Sequence, residues 1–235
     1  MIKIAAMGDL HCPRGINIIT SALEKINKKA DFLVLAGDLT RSGTLSQAYC
    51  LIDELKKVTI PILAVLGNHE YHHGKQNEIR KLLIENNVII LDGKSATFQI
   101  GKRTIGFAGS KGFCGGYDKA QIPNFGEPSL KGLVDELKHE TRKIEKSLKQ
   151  LSTDYRVVVL HYCPTRATLG TENKEIYFFL GSSLLAKPID KYKPDIVFHG
   201  HCHFGKPQGT TPGGVKVINV ALPLIKKPYQ IITLK

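Results

Sequence analysis

The chain has 235 residues, 42% of them hydrophobic, with a formal charge of +12 and a mean hydropathy of -0.10. That is a globular composition with material for one sizeable core or two small ones, and no apolar run approaches the roughly 20 residues that membrane insertion through a helix requires. The charge points to an anionic partner, a phosphorylated substrate or nucleic acid; the lysines are dispersed from Lys3 to Lys235 without a dense block, so a lysine-coated surface is preferred and nucleic acid is not favoured.

The first stretch, Ile2 to Met7, reads as a short buried strand ending in Gly8-Asp9-Leu10-His11. It lacks the long apolar core and small-residue cleavage site of a signal peptide. Asn17 is a candidate cap for a helix running to about Lys29, with Ile18, Ala22, Leu23 and Ile26 on one face. Phe32 to Ala36 is a second strand, ending in Gly37-Asp38, and a helix follows over about Thr44 to Lys57. Pro61 to Leu66 is a third strand, leading into Gly67-Asn68-His69-Glu70; a helix over about Gln76 to Asn86 precedes Val88 to Leu91. This alternation implies parallel strands joined by right-handed crossovers.

The pattern then changes. Ser95 to Ile100 and Arg103 to Gly109 flank Gly101-Lys102 as a β-hairpin. Residues 110 to 128 hold four glycines and two prolines, a loop long enough to be a lid or a surface connection. A long helix is expected over about Ser129 to Leu151, then a strand from Arg156 to Leu160 running into His161. Thr165 to Lys174 reads as loop and Glu175 to Ala186 as helix. Asp195 to Phe198 is a strand leading into His199-Gly200-His201-Cys202-His203, and Val215 to Val220 and Gln230 to Leu234 close the chain as strands. There is no internal repeat, low-complexity tract or linker, so residues 1–235 are expected to form one domain.

Five strand ends carry ligand-type residues: Asp9 and His11; Asp38; Asn68 with His69; His161; His201 and His203. Open α/β sheets build their sites at the carboxyl ends of strands. Residues two apart in extended chain point the same way, so Asp9 with His11, and His201 with His203, are each expected to reach one centre together. Carboxylates, an amide and imidazoles suit Mn, Fe or Zn. Seven donors exceed what one tetrahedral zinc takes, and two adjacent metals sharing a carboxylate fit the count better.

The set Asp9-x-His11, Gly37-Asp38, Gly67-Asn68-His69-Glu70, His161 and Gly200-His201-x-His203 resembles that of the calcineurin-like metallophosphoesterases, in the family's order and across most of the chain. The resemblance implies a four-layer α/β/β/α sandwich: two mixed β-sheets flanked by helices, with the metal site at the carboxyl ends of the strands. It implies two divalent or trivalent ions. Asp9, His11, Asp38 and His203 would hold one; Asp38 would bridge to the second, held with Asn68, His161 and His201. A metal-bridging hydroxide would attack a phosphate ester, His69 would protonate the leaving oxygen or stabilise its charge, and Glu70 would orient that imidazole.

The stretch from Gly37 to Thr44 resembles the class III cyclic-nucleotide phosphodiesterases, so phosphodiesters, cyclic nucleotides among them, are the expected substrates. Arg14, Lys111 and Arg166 are candidate phosphate contacts by charge and loop position, as is Asn68, and the arginines look dispersed. A phosphomonoesterase or protein phosphatase on the same site is the alternative. The related UDP-diacylglucosamine hydrolases typically carry arginine where His69 stands, which counts against them. A DNA-repair nuclease of the superfamily would carry further DNA-contacting domains. A non-catalytic scaffold on this fold would have lost ligands or the catalytic histidine, and here all stand.

His199 reads as structural, and His72 and His73 as an exposed loop pair. The five cysteines, Cys12, Cys50, Cys114, Cys163 and Cys202, are scattered and odd in number, which argues against a disulfide framework and for a reducing cytoplasm. Cys12, Cys163 and Cys202 flank the ligand positions; small apolar filling is preferred to redox sensitivity.

Overall fold

The computed structural model describes residues 1–235. In chain order the elements are β1 (Ile2–Met7), α1 (Ile16–Ile26), β2 (Phe32–Ala36), α2 (Leu45–Leu55), β3 (Ile62–Val65), α3 (Gln76–Glu85), β4 (Val88–Ile90), β5 (Ser95–Ile100) and β6 (Arg103–Gly109). Then come β7 (Gly116–Tyr117), β8 (Ala120–Gln121), α4 (Pro128–Lys149), β9 (Tyr155–Val159), α5 (Tyr177–Leu180) and α6 (Ala186–Tyr192). The chain closes with β10 (Ile196–His199), β11 (Gln208–Thr210), β12 (Lys216–Asn219), α7 (Leu222–Ile225) and β13 (Gln230–Leu234).

Two large mixed sheets result. One has the order β13-β1-β2-β3-β4, with β1 to β4 parallel and β13 antiparallel to β1. The other has the order β11-β12-β10-β9-β6-β5, parallel from β12 to β6 and antiparallel at both edges. The expected Ser95–Gly109 hairpin forms one edge.

Strand β2 shows why its run is continuously apolar. Leu33 and Leu35 join the helix-side core, while Phe32, Val34 and Ala36 point the other way, into the core between the sheets. A strand covered on both faces has no polar side to alternate with. Phe32 meets Phe107 of β6 with ring centroids 5.0 Å apart, which ties one sheet to the other. Helices α1 to α3 cover the outer face of the first sheet through residues such as Ile19, Leu23 and Leu51. Helices α4 and α6 cover the second through Leu137, Ile144 and Ile189. The four-layer sandwich expected from the sequence is therefore present.

Several boundaries moved. Helix α1 starts after Gly15, not at an Asn17 cap, and ends at Ile26. Asn27 caps that end with helical angles, and its side-chain amide donates to Lys57 O and accepts from Thr59 N–H, stitching α1 to the strand approach beyond α2. The single helix expected over 175–186 does not form. A 3-10 turn and α5 end at Leu180, and Gly181 and Ser182 leave the helix to bridge Cys163 and Gly116. A second 3-10 turn covers Ser183–Leu185, and the chain re-enters α-helix at Ala186, where α6 carries Pro188 in its first turn. The loop at 110–128 contains the small β7–β8 hairpin. No helix is long and apolar enough to cross a membrane.

Candidate metal centre

Parallel strands β1, β2, β3, β9 and β10 all run into their polar turns at the same end of the two sheets. Asp9 follows β1, Asp38 follows β2, Asn68 follows β3, His161 follows β9, and His201 and His203 follow β10. The turns bring these residues into three overlapping groups: Asp9, His11 and His203; His11, Asp38 and His69; and Asp38, His161 and His201. Within each group the candidate ligand atoms lie within 4.8 Å of one another.

Asp38 stands in two of the groups. Its Oδ1 lies 3.3 Å from His161 Nε2, and its Oδ2 lies 3.9 Å from His11 Nε2 and 3.6 Å from His69 Nε2. Asn68 Oδ1 lies 2.9 Å from His161 Nε2. Asp9 Oδ1 lies 2.9 Å from His203 Nε2, and both its oxygens accept from the His201 N–H at 3.0 Å.

The local backbone is bent to achieve this. Asp9, His11, Asp38 and His201 all have positive φ, between 45° and 70°, which costs a residue with a β-carbon. The extended-chain expectation for the paired residues is corrected here: Asp9, His11 and His201 are left-handed. Asp9 and His11 still share a group, but His201 and His203 divide between two. The glycines beside them make room. A β-carbon on Gly67 would stand 2.1 Å from Asp38 Oδ1, and one on Gly200 would stand 2.3 Å from Asp9 Oδ2.

The donor set fits cations. His161 Nδ1 sits 2.9 Å from the Ala36 carbonyl, so that nitrogen carries the hydrogen and Nε2 presents a lone pair. That lone pair faces the Asn68 and Asp38 oxygens, so three acceptors converge without a donor. Protonation is a poor remedy, since burial pushes the His161 imidazole well below its ordinary pKa. His11 Nε2 is buried with no hydrogen-bond partner. Burial lowers the pKa of His11 to about 4 and of His201 to about 3. His201 gives its Nε2–H to the Phe179 carbonyl at 3.1 Å, leaving Nδ1 for the cluster. Burial, with the charges of Asp9 and Glu70 nearby, raises Asp38 well above the carboxylate range. Burial opposes protonation of His203, but the Asp9 bond and charge prevail and its pKa is raised. Neutral imidazoles beside crowded carboxylates are what metal ions satisfy.

His69 and Glu70 part company. The His69 ring is held by the Arg41 carbonyl at 2.5 Å from Nδ1. Glu70 does not orient it, contrary to the sequence expectation. Fully buried, its Oε1 accepts from the Thr40 N–H and hydroxyl, both at 2.8 Å, and its Oε2 from the Gly67 N–H at 2.7 Å. Glu70 therefore clamps the turn after β2 to the turn after β3. The sharp turn after Asn68 aims the two consecutive side chains differently, one into the site and one into the protein.

Of the three cations singled out, only Arg14 reaches the cleft that opens beside Asp9, His11, His69 and His203. Lys111 is buried instead, its Nζ bonded to the Gly112 carbonyl at 3.0 Å and lying over the rings of Tyr71, Phe113 and Tyr162. Arg166 is exposed, paired with Asp118 at 3.3 Å and lying over the Tyr177 ring. The arginines are less dispersed than the sequence suggests, because Arg41 joins Arg14 on the cleft. Lys226 and Phe204 also line it and carry no signal in the sequence beyond charge and the position next to His203.

His199 is fully buried, with Nδ1 bonded to Gly200 O at 2.7 Å and Nε2 to Thr168 Oγ1 at 2.9 Å. It forms a buried group with Cys163 and Cys202 behind the site. His72 and His73 are exposed; His72 packs on the His69 ring, with centroids 4.4 Å apart.

A family profile described as calcineurin-like phosphoesterase matches residues 2–205. A protein of Ruthia magnifica subsp. Calyptogena magnifica named "Probable cyclic nucleotide phosphodiesterase" is 25% identical over 200 residues, covering 80% of this chain and 70% of that one. Among solved structures, the phosphopantetheinyl hydrolase of Mycobacterium tuberculosis superposes with a TM-score of 0.66 at 15% identity, covering 93% of this chain and 88% of that one. Protein TT1561 of Thermus thermophilus superposes with a TM-score of 0.58 at 14% identity, covering 100% and 99%. These structures share the fold.

Proposed function

The chain belongs to the calcineurin-like phosphoesterases, a metal-dependent hydrolase family acting on phosphate esters, and we propose that it is a dinuclear phosphodiesterase. The observation that carries this reading is the position of Asp38, whose two oxygens face different groups of neutral imidazoles. Asp9, His11, Asp38 and His203 would hold one ion of Mn, Fe or Zn, and Asp38, Asn68, His161 and His201 the other. When bound, such ions supply Lewis acidity, making water more acidic and offsetting phosphate charge.

The remaining work belongs to side chains. Arg41 O fixes the His69 ring through Nδ1, so Nε2 is the atom that gives a proton to the leaving oxygen. Burial lowers the His69 pKa, and an arriving phosphate anion works in the opposite direction by favouring the imidazolium. Arg14 neutralises charge at the cleft edge.

Diesters are the favoured class. A diester has one negative charge, so its binding desolvates less charge than a monoester dianion. The relative named for cyclic nucleotides points the same way. A phosphomonoesterase is the second reading, favoured by Arg14 and Arg41 meeting on one cleft, which gives a third phosphate oxygen a partner. The test is a panel at equal concentration: bis-p-nitrophenyl phosphate, p-nitrophenyl phosphate, 3′,5′- and 2′,3′-cyclic AMP, and a short single-stranded DNA. Higher kcat/KM on a diester than on the monoester is expected. The reverse order would make the protein a monoesterase, and no turnover with metals bound would make it a scaffold.

A further inference from the structure

The cleft beside the candidate metal centre holds about 940 Å³, near the upper end of the roughly 300–1,000 Å³ typical of small-molecule sites, so a bare phosphate leaves most of it empty. Its position is one-sided. Asp9, His11, His203 and His69 line it; Asn68, His161 and His201 do not. His69 is the group proposed to serve the leaving oxygen, so the part of a substrate that departs from that side runs into this cleft.

The walls have two kinds of surface. Phe204 and Ile18 are 69% and 49% exposed and line the cleft with Leu224. The Phe204 backbone is fixed on both sides: its N–H donates to Glu172 at 2.7 Å and its carbonyl accepts from the Thr171 hydroxyl at 2.8 Å. The ring stands exposed on this fixed backbone, directly after His203. Arg14, Arg41 and Lys226 supply the charge. Arg103 and Arg166 are paired with Asp154 and Asp118, whereas these three have no carboxylate within 4.0 Å. Asp9, itself a candidate ligand, is the sole acid on the lining.

From this shared lining we infer that the cleft is a leaving-group subsite for a nucleotide: an arm with a flat ring that stacks on Phe204 and a further phosphate that pairs with the cations of the lining, Lys226 among them. The inference rests on the phosphodiesterase reading. Hydrolysis breaks the P–O bond to that arm, the water oxygen joins phosphorus, and the leaving alkoxide takes its proton from His69. An unpaired aromatic face beside unpaired cations matches a base joined to a phosphate better than it matches a purely apolar or purely anionic arm.

The test is calorimetric titration of the manganese-loaded protein with inorganic phosphate, ribose 5-phosphate, adenosine 5′-monophosphate and adenosine 3′,5′-bisphosphate. The monophosphate should bind about tenfold tighter than ribose 5-phosphate through ring stacking. The bisphosphate should gain about a further threefold from a solvent-exposed pairing. Phe204→Ala should erase the first difference and Lys226→Ala the second, with inorganic phosphate as the internal reference in each variant. Equal affinity for ribose 5-phosphate and the monophosphate would overturn the inference. So would a Phe204→Ala protein that weakens both alike. Turnover of methyl p-nitrophenyl phosphate, whose arms are too small to fill the cleft, tests the phosphodiesterase reading separately. Turnover without ring discrimination faults the subsite, and ring discrimination without turnover faults the reaction.

Discussion

Gly67 has no room for a β-carbon because Asp38 occupies the space: the added atom would stand 2.1 Å from Asp38 Oδ1 and 2.3 Å from its amide nitrogen. The glycine between strand β3 and Asn68 is thus set by the carboxylate it faces. Gly67→Ala should cost about 1–3 kcal/mol of stability and weaken metal binding, since the carboxylate must move. Gly132, on α4 with nothing within 4 Å of its would-be β-carbon, provides the control. Gly132→Ala should be neutral or stabilise by about 0.5–1 kcal/mol. Thermal unfolding and metal titration of both variants check this, and a Gly67→Ala protein indistinguishable from wild type would refute it.

Glu70 is a structural clamp. Glu70→Ala leaves the buried Thr40 and Gly67 N–H groups without acceptors, so it should lose about 3 kcal/mol or more. Glu70→Gln keeps an acceptor oxygen and should lose less. Denaturant unfolding separates the two. Equal losses would mean that the carboxylate's packing matters and its hydrogen bonds do not.

His69→Ala should behave in the opposite way. Its ring is partly exposed and its removal should leave metal content intact, while turnover falls roughly 10²–10⁴-fold on esters with poor leaving groups. An activated nitrophenolate needs little protonation, so its hydrolysis should fall much less. A loss independent of leaving-group pKa would assign His69 a different task.

In the metal-free protein the buried rings of His11, His161 and His201 should cost stability as pH falls from 7 toward 5. His11 and His201 have folded pKa values of about 4 and about 3, below the ordinary 6.5, and His161 is lowered as well. Above pH 6.5 these groups are neutral folded and unfolded, so they contribute nothing. Below it the unfolded chain binds protons that the folded chain refuses, and folding weakens. Asp38 works the other way: its raised pKa gives stability that is full below about pH 3.8 and is lost as pH rises through the folded value. His69 is lowered as well, while Glu70, His199 and His203 are raised and join Asp38 on the opposing side, so the share of one ring is read by removing it. Melting curves of EDTA-treated protein should show the wild type losing more Tm over this interval than a His201→Asn variant, and identical pH profiles would contradict the burial of this ring as a neutral group.

The strand ends were legible because buried strands write themselves as apolar runs and the turns after them break into donors. What the runs did not reveal is how the backbone turns. Asp9, His11 and His201 are left-handed, so alternation along an extended chain gave the wrong reason for the Asp9–His11 pairing and the wrong grouping for His201 and His203. The 175–186 segment looked helical because its apolar spacing is helical, but the strand-like bridges of Gly181 and Ser182 override it. Lys111 looked like a phosphate contact because charge is visible in a sequence and an aromatic cage is not. The cleft was hidden for a related reason. Its walls come from Arg14, Arg41, Phe204 and Lys226, which only the fold brings together.

The proposed dinuclear centre depends most on one carboxylate serving two sites. Elemental analysis of purified protein, wild type beside Asp38→Ala, tests it directly. Two transition-metal ions per chain are expected in the wild type, with both sites depleted in the variant, because Asp38 faces His11 on one side and His161 on the other. A single tightly held ion whose occupancy is unchanged in Asp38→Ala would contradict the dinuclear centre.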